Sequence, residues 1–189
     1  MISISKLPLL ISHSTRSLKP GAWIEVINFK YPSYGDANTI LERGICGFYT
    51  RLAEAMAVDG LDLHAVIKVP DEFETAGFIN ISRSIIDIPV GGWRQDPELK
   101  AIGKIFEEVV RSEIPSIGMR EIQENLGWSW EEVVVLGALA RRSLGFSTAI
   151  SFPLHTVIGQ KPTDEQALVT RQEEVRAEMC VANLCSTDD

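Results

Sequence analysis

Three cysteines (Cys46, Cys180, Cys185) and three histidines (His13, His64, His155) are the residues best suited to metal ligation in this chain of 189 residues. A structural zinc needs four such ligands, commonly in pairs at short fixed spacing. The interval from Cys180 to Cys185 fits no common zinc pattern, no histidine lies near it, and the histidines are far apart. No metal site is expected. An odd, sparse cysteine count also suits a reducing compartment better than a disulfide framework. Glycine matters for a different reason: a backbone that must approach a ligand closely, with φ > 0, needs it. The chain has 14 glycines but no Gly-x-Gly; the nearest groupings are Gly44 with Gly47, and Gly91-Gly92. Gly44 and Gly47 fall inside a strongly helical stretch, which makes them packing positions rather than a ligand loop.

The background composition is that of a globular domain. Apolar residues make up 45% and charged residues 23%, and 189 residues suffice for one domain with a sizeable core. The formal net charge is −8, and Arg141-Arg142 is the densest basic pair. Phosphate neutralisation needs clustered Lys and Arg, so neither nucleic acid nor an anionic membrane is the expected partner. The apolar run Leu7–Ile11 is short, contains Pro8 and lacks a preceding basic region, unlike a signal peptide. Val133–Ala140 is far too short to span a bilayer. The expected location is cytoplasm or nucleus.

The elements that must position any site read as follows. Residues 7–18 give the last turns of a helix, with weak periodicity in Leu9, Leu10, Ser14 and Leu18. Lys19 stands where a cation favours a helix C-terminus, and Pro20-Gly21 ends the element. Trp23–Phe29 is a mostly apolar run, the pattern of a strand covered on both faces. Over 36–58, Leu41, Ile45, Phe48, Tyr49, Leu52 and Met56 share one helical face. A short helix is predicted from Asp71 to about Ala76, stopped by Gly77. Phe78–Ser82 and Ile85–Ile88 then form one long strand or two joined ones, ending near Pro89.

Gly91-Gly92 and Asp96-Pro97 mark a loop and a helix start; Leu99, Ile102, Phe106, Val109 and Val110 define that helix. Ser129 with Glu132 has the form of a capping box for a helix over Trp130–Arg142. Ala149–Gly159 is the last strand; Pro153 within it implies a bulge or an unpaired edge at that point. Thr163 with Gln166 opens a tail helix carrying the narrow stripe Leu168, Val175, Met179 and Ala182, and the last four residues are expected to be disordered. The order alone says α/β.

Several segments, taken together and in order, resemble class I S-adenosylmethionine-dependent methyltransferases, most closely the fungal LaeA-type family. They are Leu18-Lys19-Pro20-Gly21-Ala22-Trp23-Ile24-Glu25, where the family usually has a second Gly at position 22, then Ala76-Gly77-Phe78, and Ile88-Pro89-Val90-Gly91-Gly92-Trp93 with Asp96-Pro97-Glu98-Leu99-Lys100-Ala101-Ile102-Gly103. Leu126-Gly127-Trp128-Ser129-Trp130-Glu131-Glu132-Val133, Phe152-Pro153 and Gly159-Gln160-Lys161-Pro162 complete the series. The likeness covers residues 9–162; the tail lies outside it. The family's last strand is rich in aromatic residues, whereas here it carries Ser151, Leu154, His155 and Thr156.

The resemblance implies the C-terminal half of a Rossmann-like methyltransferase fold, a three-stranded remnant sheet with covering helices. Residues 1–162 would be a partial methyltransferase domain and 163–189 a helical tail with a disordered C-terminus. About half of a family member, including the cofactor site, precedes the stretch that begins here at Leu18, and only seventeen residues precede it in this chain. Four strand–helix units, about 120 residues at roughly 30 each, would be missing. The family's cofactor is S-adenosylmethionine; with no Gly-rich turn, this chain is not expected to bind it alone. The strand Trp23–Phe29 would then offer an open apolar edge for self-association or a protein partner.

In an intact enzyme the end of that strand would face the methyl acceptor, making Glu25, Asn28, Phe29 and Tyr31 the nearest candidates. For Glu25 the alternative is a buried or half-buried carboxylate satisfied by a neighbour. His155 reads as a space-filling strand histidine before a base, and Trp93, Trp128 and Trp130 as pocket or packing residues. No catalytic, cofactor-binding or metal residue is assigned. The expected function is that of a truncated methyltransferase-like protein of fungal secondary metabolism; the alternative is a non-catalytic interaction protein using its open edge or tail helix.

Overall fold

In the computed structural model, residues 7–32, 42–144, 149–169 and 172 are described. The elements are α1 (Leu7–Ser17), β1 (Trp23–Phe29), α2 (Glu42–Val58), a 3₁₀ turn (Ala65–Lys68) running into α3 (Val69–Thr75), β2 (Ile79–Pro89), α4 (Pro97–Glu113), a π-helical turn (Ile114–Gly118), α5 (Met119–Leu126), α6 (Trp130–Leu144) and β3 (Ser151–Gln160). The sheet order is β1-β3-β2, and β3 is antiparallel to both neighbours. β1 and β2 are therefore parallel to each other, joined by a helical crossover that leaves a gap for β3. This is the α/β sheet with covering helices that the sequence implies.

Side chains of β3 alternate between two cores. Val157 points with Ile24 and Val26 toward Leu7, Ile11, Val69, Phe73 and Phe78. Phe152 points to the other face and joins Phe29, Phe106 and the stripe of α2, where Ile45, Phe48, Tyr49 and Leu52 are buried as their spacing predicts. Leu41 lies outside the described residues.

The predicted stop and start signals act as read. Gly77 has φ +80 after α3, which begins two residues earlier than expected, at Val69. Asp96 accepts the Leu99 N–H at the start of α4 (2.9 Å). Both capping boxes form: Ser129 with Glu132, and Thr163 with Gln166, which opens a helical turn over 164–169. In that turn Leu168 is exposed; Val175, Met179, Ala182 and the expected disordered C-terminus lie outside the described residues.

Other expectations are corrected. Trp23 and Ile27 are 53% and 54% exposed, so β1 is covered on one face only. Leu9 and Leu10 face solvent, and it is Leu7 and Ile11 that bury α1. Lys19 does not cap α1. Lys161, 146 residues on from Thr15, donates its ammonium to the Thr15 and Leu18 carbonyls, 2.7 Å each, satisfying carbonyls the helix end leaves free. The segment 79–89 is one strand with a bulge after Ile79, where Asn80 has φ +51. Pro153 costs no bond to β2. Lys30 donates to its carbonyl (2.8 Å), so its missing N–H points to the β1 side, just past the last β1 pair.

Gly44 is a packing position, as its place in the helical pattern requires. A Cβ there would lie 2.1 Å from the Ser143 hydroxyl and 2.6 Å from the Leu139 carbonyl oxygen, so α2 and α6 touch backbone to backbone. Gly44→Ala should destabilise the chain by about 1–3 kcal/mol through forced separation of the two helices, read as a lower urea midpoint at unchanged m-value.

Candidate functional site

Because β1 and β2 are parallel, their C-terminal ends open at the same end of the sheet, where β3 begins. Tyr31, two residues past β1, enters a buried aromatic group there. Its ring centroid is 5.1 Å from Tyr49 and 5.9 Å from Phe152; Tyr49 stands edge-on to Phe48 and to Phe152. Phe29 stacks on Phe106 at 5.1 Å. Such tilted and edge-on pairs add stabilisation beyond the area they bury.

Glu113 completes the group at the last residue of α4. Burial raises its carboxyl above the usual range. Burial first, and the Glu113 charge second, push the Tyr31 phenol up to about 12; the same causes raise Tyr49 further. Both phenols are therefore neutral hydrogen-bonding groups at physiological pH, beside a carboxyl that takes up a proton more readily than usual. The π-helical turn directly after Glu113 allows this placement. A Cβ on Gly118, its last residue, would strike the Phe48 ring at 2.4 Å, so the turn lies against the aromatic group. Single π-turns within helices recur at functional sites.

The sequence candidates disperse. Tyr31 alone reaches the buried group as a polar residue. Phe29 lies at its margin as a packing ring. Glu25 is exposed beside Trp23 and Ile27, so it is neither buried nor half-buried. The Asn28 side-chain carbonyl accepts the Phe29 N–H (2.9 Å), and Asn28 pairs across the sheet with His155. Trp93 donates its indole N–H to the Ile150 carbonyl (3.2 Å) under the Arg94 guanidinium. Trp128 lies below Arg51, and Trp130 is exposed. Glu113 and Tyr49 were not singled out. Tyr49 was hidden in an apolar stripe, and the available signal for Glu113 was Pro115, which interrupts a helical pattern two residues later. No cluster of His, Cys, Asp or Glu suited to a metal occurs among the described residues, and no described helix is long and apolar enough to cross a membrane.

His155 fills space on the opposite face, 2% exposed. Arg83 donates to its Nδ1 (2.8 Å), which places the proton of the neutral ring on Nε2.

No protein-family model matches the chain. A methyltransferase of Aspergillus terreus, pytC, is 27% identical over 165 residues, covering 85% of this chain and 50% of that protein. A probable methyltransferase of Emericella nidulans, tdiE, is 25% identical over 82% of this chain and 50% of its own length. The protein-methionine methyltransferase laeA of the same fungus is 22% identical over 72% of this chain and 37% of its own length. The chain is related to the LaeA-type fungal methyltransferases. It spans about half the length of the curated relatives it matches most fully. The resemblance in Leu18–Glu25 and the loops after β2 and α5 is thus matched by homology across most of the chain.

The His155 environment sets a pH dependence. Burial, then the charges of Arg83 and Lys30, lower its pKa, while Asp87 on β2 opposes them. A lowered folded pKa stabilises the fold fully above the unfolded value of about 6.5, and that stability is lost as pH falls from there through the folded value. Urea midpoints should therefore fall between pH 7.5 and 5, and His155→Gln should flatten that slope.

Proposed function

We propose that this chain is a methyltransferase-family protein of fungal secondary metabolism, and that its residues form the acceptor side of a Rossmann-like sheet. The alignment of fungal methyltransferases with 82–85% of the chain carries the reading; a relative named as a secondary metabolism regulator, laeA, supports the biological setting. Two parallel strands with an antiparallel strand between them support the Rossmann-like assignment. On this reading Tyr31, Tyr49 and Glu113 stand where the acceptor is received, at the C-terminal ends of the parallel strands, where open α/β sheets bind ligands.

S-adenosylmethionine is the cofactor that the family implies, and the residues present do not fit it. No Gly-x-Gly occurs in the sequence. The Gly-Gly turn after β2 is closed: Gly91 donates its N–H to Gly103, and the stems of Lys100 and Lys104 cover Gly92. Cofactor binding is accordingly assigned to residues outside this chain. A second reading, a non-catalytic interaction protein, is favoured by the edge of β1, which is unpaired among the described residues, with Trp23 and Ile27 exposed.

Calorimetry of the purified chain with S-adenosylmethionine should show no binding. A fusion that places the other half of the Aspergillus terreus relative ahead of residue 7 should bind one equivalent. Stoichiometric binding by the chain alone would contradict the assigned gap. A folded fusion that binds nothing would favour the interaction-protein reading.

A further inference from the structure

The loop between β2 and α4 carries an unexplained donor. Trp93 is fixed by its hydrogen bond to Ile150, and the Arg94 guanidinium lies over its ring, 4.5 Å from the centroid. That stacking holds the guanidinium in one place. The Arg94 Nε is buried and has no hydrogen-bond partner. A buried donor left without an acceptor is destabilising, more so when charged, and calls for a specific cause.

Two more cations converge on the loop. Lys100 and Lys104 stand one turn apart on α4, and their stems run over Gly92: a Cβ there would meet Lys104 Cε at 3.0 Å and Lys100 Cγ at 3.6 Å. Among the described residues, Arg94, Lys100 and Lys104 have no carboxylate partner. The nearby acids are engaged elsewhere. Glu107, whose carboxylate approaches Gly91, is bonded to Arg111 at 2.6 Å. Asp96 is bound to the first turn of α4, so the helix end itself is taken. Three unneutralised cations gathered at one loop stand out in a chain of net charge −8.

We propose that Arg94, Lys100 and Lys104 form an oxyanion site for the carboxylate or phosphate group of a small molecule. A planar guanidinium whose Nε lacks an acceptor offers the directional donor such a group needs, and the lysines supply charge. The loop leaves the C-terminal end of β2, at the same end of the sheet as Tyr31. The site does not depend on the methyltransferase reading, and its test involves no cofactor.

The test is a nitrogen-15 NMR titration of the full chain at constant ionic strength, with inorganic phosphate in one arm and acetate in the other. The Trp93 indole and Arg94 Nε–H signals report. At least one anion should give a saturable shift; a response to phosphate alone assigns phosphate, and a response to acetate, with or without phosphate, includes carboxylates. Arg94→Gln should weaken affinity at least tenfold, and the exposed pair Lys100→Gln with Lys104→Gln several-fold without disturbing the fold. Linear, unsaturated shifts, or equal affinity in the wild type and Arg94→Gln, would overturn the proposal.

Discussion

Every strand-to-strand bond in the described sheet runs through β3. β1 and β2 never touch; each is held only by the antiparallel strand between them. That constraint explains what β3 can and cannot carry. Its odd residues bond toward β1 and its even residues toward β2, as the Lys30–Pro153, Gly21–Lys161 and Val90–Ile150 bonds mark. A proline at 153 is tolerable because its missing donor falls beyond the end of β1. Phe152 and Val157, pointing to opposite faces, each anchor one of the two cores. The same strand delivers Lys161 to the end of α1, so the last residues of the sheet also terminate the first helix.

The parallel relation between β1 and β2 makes a site possible. It brings the residues that follow each strand, Tyr31 on one side and the Gly91–Arg94 loop on the other, to one end of the sheet. Helices α2 and α4 then close over Tyr31 and Phe152 with the rings of Phe48, Tyr49 and Phe106. The relatives align with 82–85% of this chain over about half of their own length. On the proposed function, acceptor binding accordingly falls to Tyr31, Tyr49 and Glu113 at that end of the sheet, and cofactor binding to residues other than the glycines present here.

Signals that act over three or four residues were legible in the sequence. Ser129 and Glu132 cap α6, Asp96 and Pro97 start α4, Gly77 stops α3, and the spacing of Ile45, Phe48, Tyr49 and Leu52 marks the buried face of α2. Signals that depend on distant partners were not. Lys19 looks like the cation for α1 because it is adjacent; Lys161 does the work because β3 folds back beside it. The run Trp23–Phe29 reads as doubly covered because its residues are apolar on both faces, yet among the described residues no element covers the face of Trp23 and Ile27. Tyr31 was reachable as a residue just past a strand. Glu113 was not, because its raised carboxyl is a property of burial that only the folded packing creates.

The outer edge of β1, unpaired among the described residues, is the most exposed consequence of this topology. The register places the N–H groups of Ile24, Val26, Asn28 and Lys30 toward β3, and those of Trp23, Glu25, Ile27 and Phe29 away from it, while the Ala22 N–H is held by the Lys19 carbonyl. Amide hydrogen exchange on the dilute chain tests this directly. The account predicts alternating protection along β1, slow at Ile24, Val26 and Asn28 and fast at Trp23, Glu25 and Ile27. Uniform slow exchange across all of them would contradict it, because the edge would then be paired in solution.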